Sequence, residues 1–212
     1  MEPKDQANNE EPERQTRFRN YGEGKLPHPL ALEALQLVGN HARALELGPA
    51  PGLRDAKAIV EQFEALDLVD TESTVADKVA ALPPETATKI HFDNQSFDQF
   101  TYEPGAYDFI HAYNALPFSG PHFDEVMHKL IASLKPGGVL SMTIWTPAHA
   151  WNNASNAGRF TFKSKGEIAL LLKDFRIHKM ELDERVRTIG DKPNVFWSAY
   201  EIIVVKIDPE NN

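Results

Sequence analysis

The chain has 212 residues, 42% of them hydrophobic, enough for one domain with a real core plus a tail. A formal net charge of −9 and a pI near 5.4 repel phosphate backbones and argue against a nucleic-acid substrate. Without cysteine there are no disulfides or thiolate metal sites; the eight histidines are scattered, His122 and His128 lie six apart, and no H-E-x-x-H occurs, so no dedicated metal site is expected.

No apolar run reaches the roughly 18 residues of a membrane span. The start, Met1-Glu2-Pro3-Lys4-Asp5, has neither the basic onset nor the apolar stretch of a secretory signal. The expectation is a soluble, cytoplasmic protein.

Residues 1–16 are rich in Glu, Asn, Gln and Pro and lack Val, Ile, Leu and Phe, the composition of a disordered acidic tail. Residues 17–41 form an arm and a helix: Arg17, Phe18, Arg19 and Tyr21 mix cations with aromatics, and Pro27 and Pro29 precede an apolar helical stretch from Leu30 to Val38. Residues 42–207 form the main domain, and 208–212 a short C-terminal tail.

Within that domain strands and helices alternate. Ala42 to Leu47 reads as a strand, Arg54 to Phe63 as a helix, and Ala65 to Val69 as a second strand. A helix from Ser73 to Leu82 is ended by Pro83-Pro84. Thr88 to Phe92 and Tyr107 to Ala112 are strands three and four. A helix from Phe123 to Leu134 is stopped by Lys135-Pro136-Gly137-Gly138, and Val139 to Trp145 is the fifth strand. After a helix from Lys165 to Lys173, the alternating segments Arg176–Glu184 and Phe196–Ile207 read as a closing antiparallel pair. This order predicts an α/β, Rossmann-like, doubly wound sheet of seven strands, mostly parallel with an antiparallel last strand. Ligands of such sheets bind beyond the carboxyl ends of the strands, at the switch in strand order.

The chemistry-bearing residues fall on those ends. Glu46-Leu47-Gly48-Pro49-Ala50-Pro51-Gly52 is a Gly-containing strand-to-helix turn that lets a ligand approach backbone. An acid at Glu46, in a strand that is usually apolar, points to a cationic ligand group. Asp70 follows Glu46 by 24 positions and ends the second strand, where a carboxylate can accept from two ribose hydroxyls. Asp70 to Ser73 equally offers caps for the next helix, and both roles can hold together. Only Gly48 and Gly52 are glycines, so the loop departs from a nicotinamide fingerprint.

Several segments resemble class I S-adenosylmethionine-dependent methyltransferases. Leu45-Glu46-Leu47-Gly48-x-Ala50-x-Gly52 resembles their first motif, Arg54-Asp55-Ala56 the residues that often follow it, and Tyr107 to Ala112 their fourth strand. Leu134-Lys135-Pro136-Gly137-Gly138-Val139-Leu140 closely resembles their turn before the fifth strand, and Phe160 through Ile168 is similar to tellurite-resistance-type members. The resemblance spans about residues 17–206. It implies methyl transfer from S-adenosylmethionine to a small-molecule acceptor by in-line displacement, leaving S-adenosylhomocysteine, in a monomer or homodimer. Glu46, Gly48, Ala50 and Gly52 would line the methionine and ribose, Asp70 would hold the ribose hydroxyls, and Asp93 or Asn94 would face the adenine. His111 would close the floor beneath the sulfonium through its backbone.

Acceptor-side candidates are Tyr21, Tyr113, Asn114, His149 and Trp151. Asn114-Ala115-Leu116-Pro117-Phe118 matches an N-P-P-[YF] motif only poorly, and Trp145 to Trp151 could form an aromatic lid. No catalytic base is assigned, since positioning supplies much of the rate in methyl transfer. Ala50 in place of a glycine, between Pro49 and Pro51, and an extra Leu53 leave open a degenerate member that binds or regulates without turnover.

Overall fold

A computed structural model describes residues 24–189 and 192–208. The expected tail at 1–16, the arm from Arg17 to Tyr21 and all but Asp208 of the last five residues lie outside the described residues.

Short apolar runs make the central strands. β1 (Arg43–Leu47), β2 (Ala65–Val69) and β4 (Tyr107–Ala112) are almost wholly buried, as parallel strands covered by helices on both faces must be. With β3 (Ile90–Asp93), β5 (Leu134–Trp145), β6 (Phe175–Ile189) and β7 (Lys192–Lys206) they form a sheet ordered β3-β2-β1-β4-β5-β7-β6. The first five strands run parallel; β7 is antiparallel to both β5 and β6.

α1 (Pro29–Leu35) begins with proline at its first position, behind a His28 side chain that accepts from the Leu30 N–H. It packs with α2 (Ala56–Gln62) on one face, where Leu30, Ala34, Ile59 and Val60 meet Ala44, Leu66, Phe109 and Ile203. On the other face α5 (Phe123–Ser133) and α6 (Lys165–Leu171) bring Val126, Leu130 and Ile168 against Leu45, Ile110, Leu140 and Ile202. A capping box between Ser164 and Glu167 starts α6. Among the described residues, no helix is long and apolar enough to cross a membrane.

The structure corrects several boundaries. α2 starts at Ala56, because Leu53 takes a left-handed backbone (φ 48°) and prolongs the turn. α3 (Thr74–Ala80) does end before Pro83-Pro84, but Pro84 opens a further short helix, α4 (Pro84–Ala87). β5 starts at Leu134 rather than Val139: Leu134 pairs with Tyr107, and the Pro-Gly-Gly stretch bulges before Val139 pairs with Phe109. β6 and β7 run beyond the predicted pair and meet in a hairpin with Ile189 opposite Lys192. After β3 the chain returns to the far side of β1 as β4, which puts the switch point between β1 and β4.

Candidate functional site

The loop after β1 is bent by three left-handed residues: Gly48 (φ 68°), Ala50 (φ 54°) and Leu53 (φ 48°). A Cβ on Gly48 would stand 2.9 Å from that of Ala115, so no side chain fits there unmoved. Ala50 keeps the backbone course that glycine favours, at a strain of about 1–2 kcal/mol. Its N–H donates to Asp70 Oδ2 (3.2 Å), and the other Asp70 oxygen accepts from the Glu72 N–H (3.0 Å). The Asn94 amide donates to the Asp70 carbonyl (2.9 Å). Gly48, Ala50, Asp70 and Asn94 thus come together. Ser73 makes no side-chain cap for α3; Glu72 accepts from Thr74 instead. The Asp93 carboxylate lies 3.4 Å from His91.

Beneath this loop lies a buried charge cluster. Glu46 is 3% exposed, and its Oε2 has no hydrogen-bond partner. Burial, with Asp55 adding to it, pushes the Glu46 carboxyl well above the usual carboxylate range. Asp55 accepts from the Arg54 guanidinium (2.5 Å) and the His28 N–H (2.6 Å), with His111 Nε2 3.4 Å away. Burial would raise the Asp55 carboxyl, but His111 and Arg54 hold it well below that range. The His111 ring is fully buried, and its Nδ1 meets Ser141 Oγ at 3.2 Å. Glu46, Asp55 and His111 each place a potential ligand atom within 4.8 Å of the others, a donor set that their separation in sequence conceals. The Asp55 oxygen facing His111 is the one Arg54 holds, so a metal there would have to displace the guanidinium.

Tyr113 closes the crevice. The Arg54 guanidinium lies 4.8 Å from its ring centre, and the His28 ring lies 4.0 Å from it. His28 Nδ1 accepts from the Leu30 N–H, so Nε2 carries the proton; it points at Glu201 Oε1, 3.9 Å away. Burial, reinforced by Arg54, lowers His28 to about 4. The space enclosed by Glu46, Gly48, Pro49, Ala50, Arg54, Asp55 and Tyr113 is about 20 Å³. A larger open hollow, about 560 Å³, lies at the opposite end of the sheet against Asn40, Glu61 and Lys89, away from these groups.

Residues 18–175 match a family described as methyltransferase domain. The chain belongs to the methyltransferase domain family. No curated protein matches it. Among solved structures it is similar to an S-adenosylmethionine-dependent methyltransferase of Methanosarcina mazei (15% identity, 86% of this chain and 99% of that one, TM-score 0.62). It is also similar to the N-methyltransferase NodS of Bradyrhizobium japonicum, solved with S-adenosylhomocysteine (14%, 96% and 90%, TM-score 0.59). A third is the 1,6-didemethyltoxoflavin-N1-methyltransferase of Burkholderia thailandensis, solved with bound 1,6-didemethyltoxoflavin and S-adenosylhomocysteine (18%, 85% and 78%, TM-score 0.57).

In this methyltransferase domain the other acceptor-side candidates scatter. Asn114 is tied to β5: its N–H donates to Thr143 Oγ1 (2.7 Å) and its Oδ1 accepts from the same hydroxyl (2.9 Å). His149 and Trp151 join an aromatic cluster of their own, with His149 stacked on Trp145 at 4.4 Å and Trp151 edge-on to Trp145 at 5.1 Å. Tyr21 lies outside the described residues. Sequence reasoning missed His28, Ser141 and Glu201 and gave Arg54 and Asp55 no role. The proline after His28 marked a helix start, and nothing local marked the site.

Proposed function

We propose that this methyltransferase domain passes a methyl group from S-adenosylmethionine to a small-molecule acceptor by in-line displacement. One observation carries the reading: the crevice at the switch point holds a buried carboxylate oxygen, Glu46 Oε2, without a partner. A buried charge left so is costly, and a cationic ligand group removes the cost. The cofactor offers an ammonium and a diol, and when bound it supplies an electrophilic methyl group. Glu46 would face the ammonium, Gly48, Ala50, Gly52 and Asp70 the methionine and ribose, Asp93 or Asn94 the adenine, and His111 the floor. Named relatives of the fold that methylate small molecules support the acceptor class, and a net charge of −9 favours it over a nucleic acid.

A second reading rests on the 20 Å³ crevice and on Ala50 between two prolines. About one water fits such a space, so the side chains that line it, Arg54 and Tyr113 among them, must shift to admit a cofactor. A chain in which they do not move freely would be a binding or regulatory member without turnover. Calorimetry with S-adenosylmethionine and S-adenosylhomocysteine tests both readings. Micromolar binding that weakens in Glu46→Gln supports the first, and no heat at millimolar cofactor overturns it. Binding without S-adenosylhomocysteine formation across an acceptor panel selects the second.

A further inference from the structure

Glu201 stands on β7 between Thr143 of β5 and Glu181 of β6, on the sheet face that carries Glu46 and His111. It lies one pleat nearer the carboxyl end of β5 than Ser141, the partner of His111. Its carboxylate is 19% exposed, reachable yet largely desolvated. The cations around it are engaged elsewhere. Lys179 pairs with Glu33 (2.8 Å) and Glu181 (3.5 Å). Arg185 and Arg187 both pair with Asp183 (3.0 and 2.8 Å). Glu201's one ion-pair neighbour among the described residues is His28, at 3.9 Å, beyond hydrogen-bond reach and held neutral. Glu181 directly opposite adds like charge. Lys179 and Arg185 draw the Glu201 carboxyl down, less than burial and Asp183 raise it, and neither makes an ion pair with it. The His28 ring that points at it also lies against Tyr113, the wall of the crevice, with the ring centres 4.0 Å apart and the planes tilted by 34°.

We propose that the methyl acceptor is an amine, that Glu201 receives its ammonium group, and that His28 and Tyr113 hold it toward the crevice. The inference rests on the methyltransferase reading above and names its substrate class. An ammonium cannot attack; it must first lose a proton. Burial, with Asp183 adding to it, raises the Glu201 carboxyl, which makes it a better proton acceptor than an exposed glutamate. The proton passes from the ammonium to a Glu201 oxygen, and the freed nitrogen lone pair bonds to the methyl carbon. The carbon–sulfur bond breaks with its electron pair returning to sulfur, so the sulfonium charge ends on the methylated nitrogen. An alcohol would leave the carboxylate without its counter-charge.

The test titrates the full chain, with and without saturating S-adenosylhomocysteine, against benzylamine and n-butylamine and their matched alcohols at pH 7.5 by ligand-observed NMR. At least one amine is expected to bind ten-fold or more tightly than its alcohol. Glu201→Gln should remove that preference while leaving S-adenosylhomocysteine affinity unchanged and the melting temperature no lower than the parent's. Glu181→Gln, an exposed control, should keep the preference, and His28→Gln should weaken it. Equal binding of amines and alcohols, no binding of either amine, or a preference that survives Glu201→Gln overturns the proposal. Failure of S-adenosylhomocysteine to bind instead defeats the methyltransferase reading, and the cofactor-free titration still reads the amine pocket.

Discussion

Ala50 and Asp70 are joined by a hydrogen bond from the Ala50 backbone N–H to Asp70 Oδ2, 3.2 Å long, which ties the loop after β1 to the loop after β2. With the second oxygen on the Glu72 N–H, the carboxylate braces two turns. Asp70→Ala should therefore lower stability without cofactor by about 1–2 kcal/mol, near 1 kcal/mol for each lost bond. It should also weaken S-adenosylmethionine binding roughly 10-fold or more. Asp70→Asn keeps one acceptor oxygen and should lose less of both. Melting curves and calorimetry on the two variants check this; unchanged affinity in Asp70→Ala would remove Asp70 from the cofactor site.

The backbone of the first loop yields a contrast between neighbours. Gly48→Ala places a methyl group against Ala115 and strains a left-handed residue, so stability should fall by about 2 kcal/mol or more, and cofactor affinity with it. The double variant Gly48→Ala, Ala115→Gly should recover the clash and not the strain. Ala50→Gly relieves strain but loosens the unfolded chain, by about 0.4–1 kcal/mol, so its melting temperature should stay close to the parent's. A large drop in Ala50→Gly would mean that the methyl group is packed.

Acid and base act on the site in opposite senses. His28, held neutral at about 4, contributes stability in full above the unfolded value near 6.5 and loses it as pH falls from there toward 4. The loss should be roughly 2–3 kcal/mol, and His28→Gln should flatten it. Glu46 behaves inversely: its raised folded value means a contribution that is present in acid and is lost as pH rises through that value. Glu46→Gln should thus gain on the parent at pH 8 and not at pH 4. Denaturant titrations at three pH values separate the two residues; a Glu46→Gln variant that loses ground at pH 8 would contradict the uncompensated charge.

His149 separates packing from substrate contact. It is 1% exposed, stacked on Trp145, and accepts from the Trp151 N–H at 3.1 Å. His149→Ala should cost about 2–4 kcal/mol, as core truncations do, with cofactor affinity unchanged. A variant of near-parental stability that loses an acceptor's binding would return His149 to the acceptor side.

Where a feature is local, the amino-acid order announced it. The apolar runs of β2 and β4 end where hydrophobicity ends, and the Gly48 turn, Glu46 and Asp70 follow one another at the spacing a βαβ unit imposes. The start of β5 was hidden because Pro136-Gly137-Gly138 reads as a breaker, whereas the sheet takes it in as a bulge. His28 and Glu201 were invisible for another reason. Neither lies in a motif, they are far apart in the chain, and only the docking of α1 over β7 brings them together. Asp55 was legible as a motif letter, but its service to Arg54, His111 and the His28 backbone emerges only in three dimensions.

The position of β7, made after β6 yet seated inside it against β5, bears on how the chain acquires its shape. A ribosome releases α1 and the parallel strands first, but α1 finds its ion-pair partner Lys179 and its neighbour Glu201 only once the final hairpin has emerged. Until then the flank of β5 and the part of the α1 face that Ile203 covers stay open to solvent and to other nascent chains. Such distant pairings make for slow maturation and a window for aggregation, and the face that carries Glu46, His111 and Glu201 is among the last surfaces to take form.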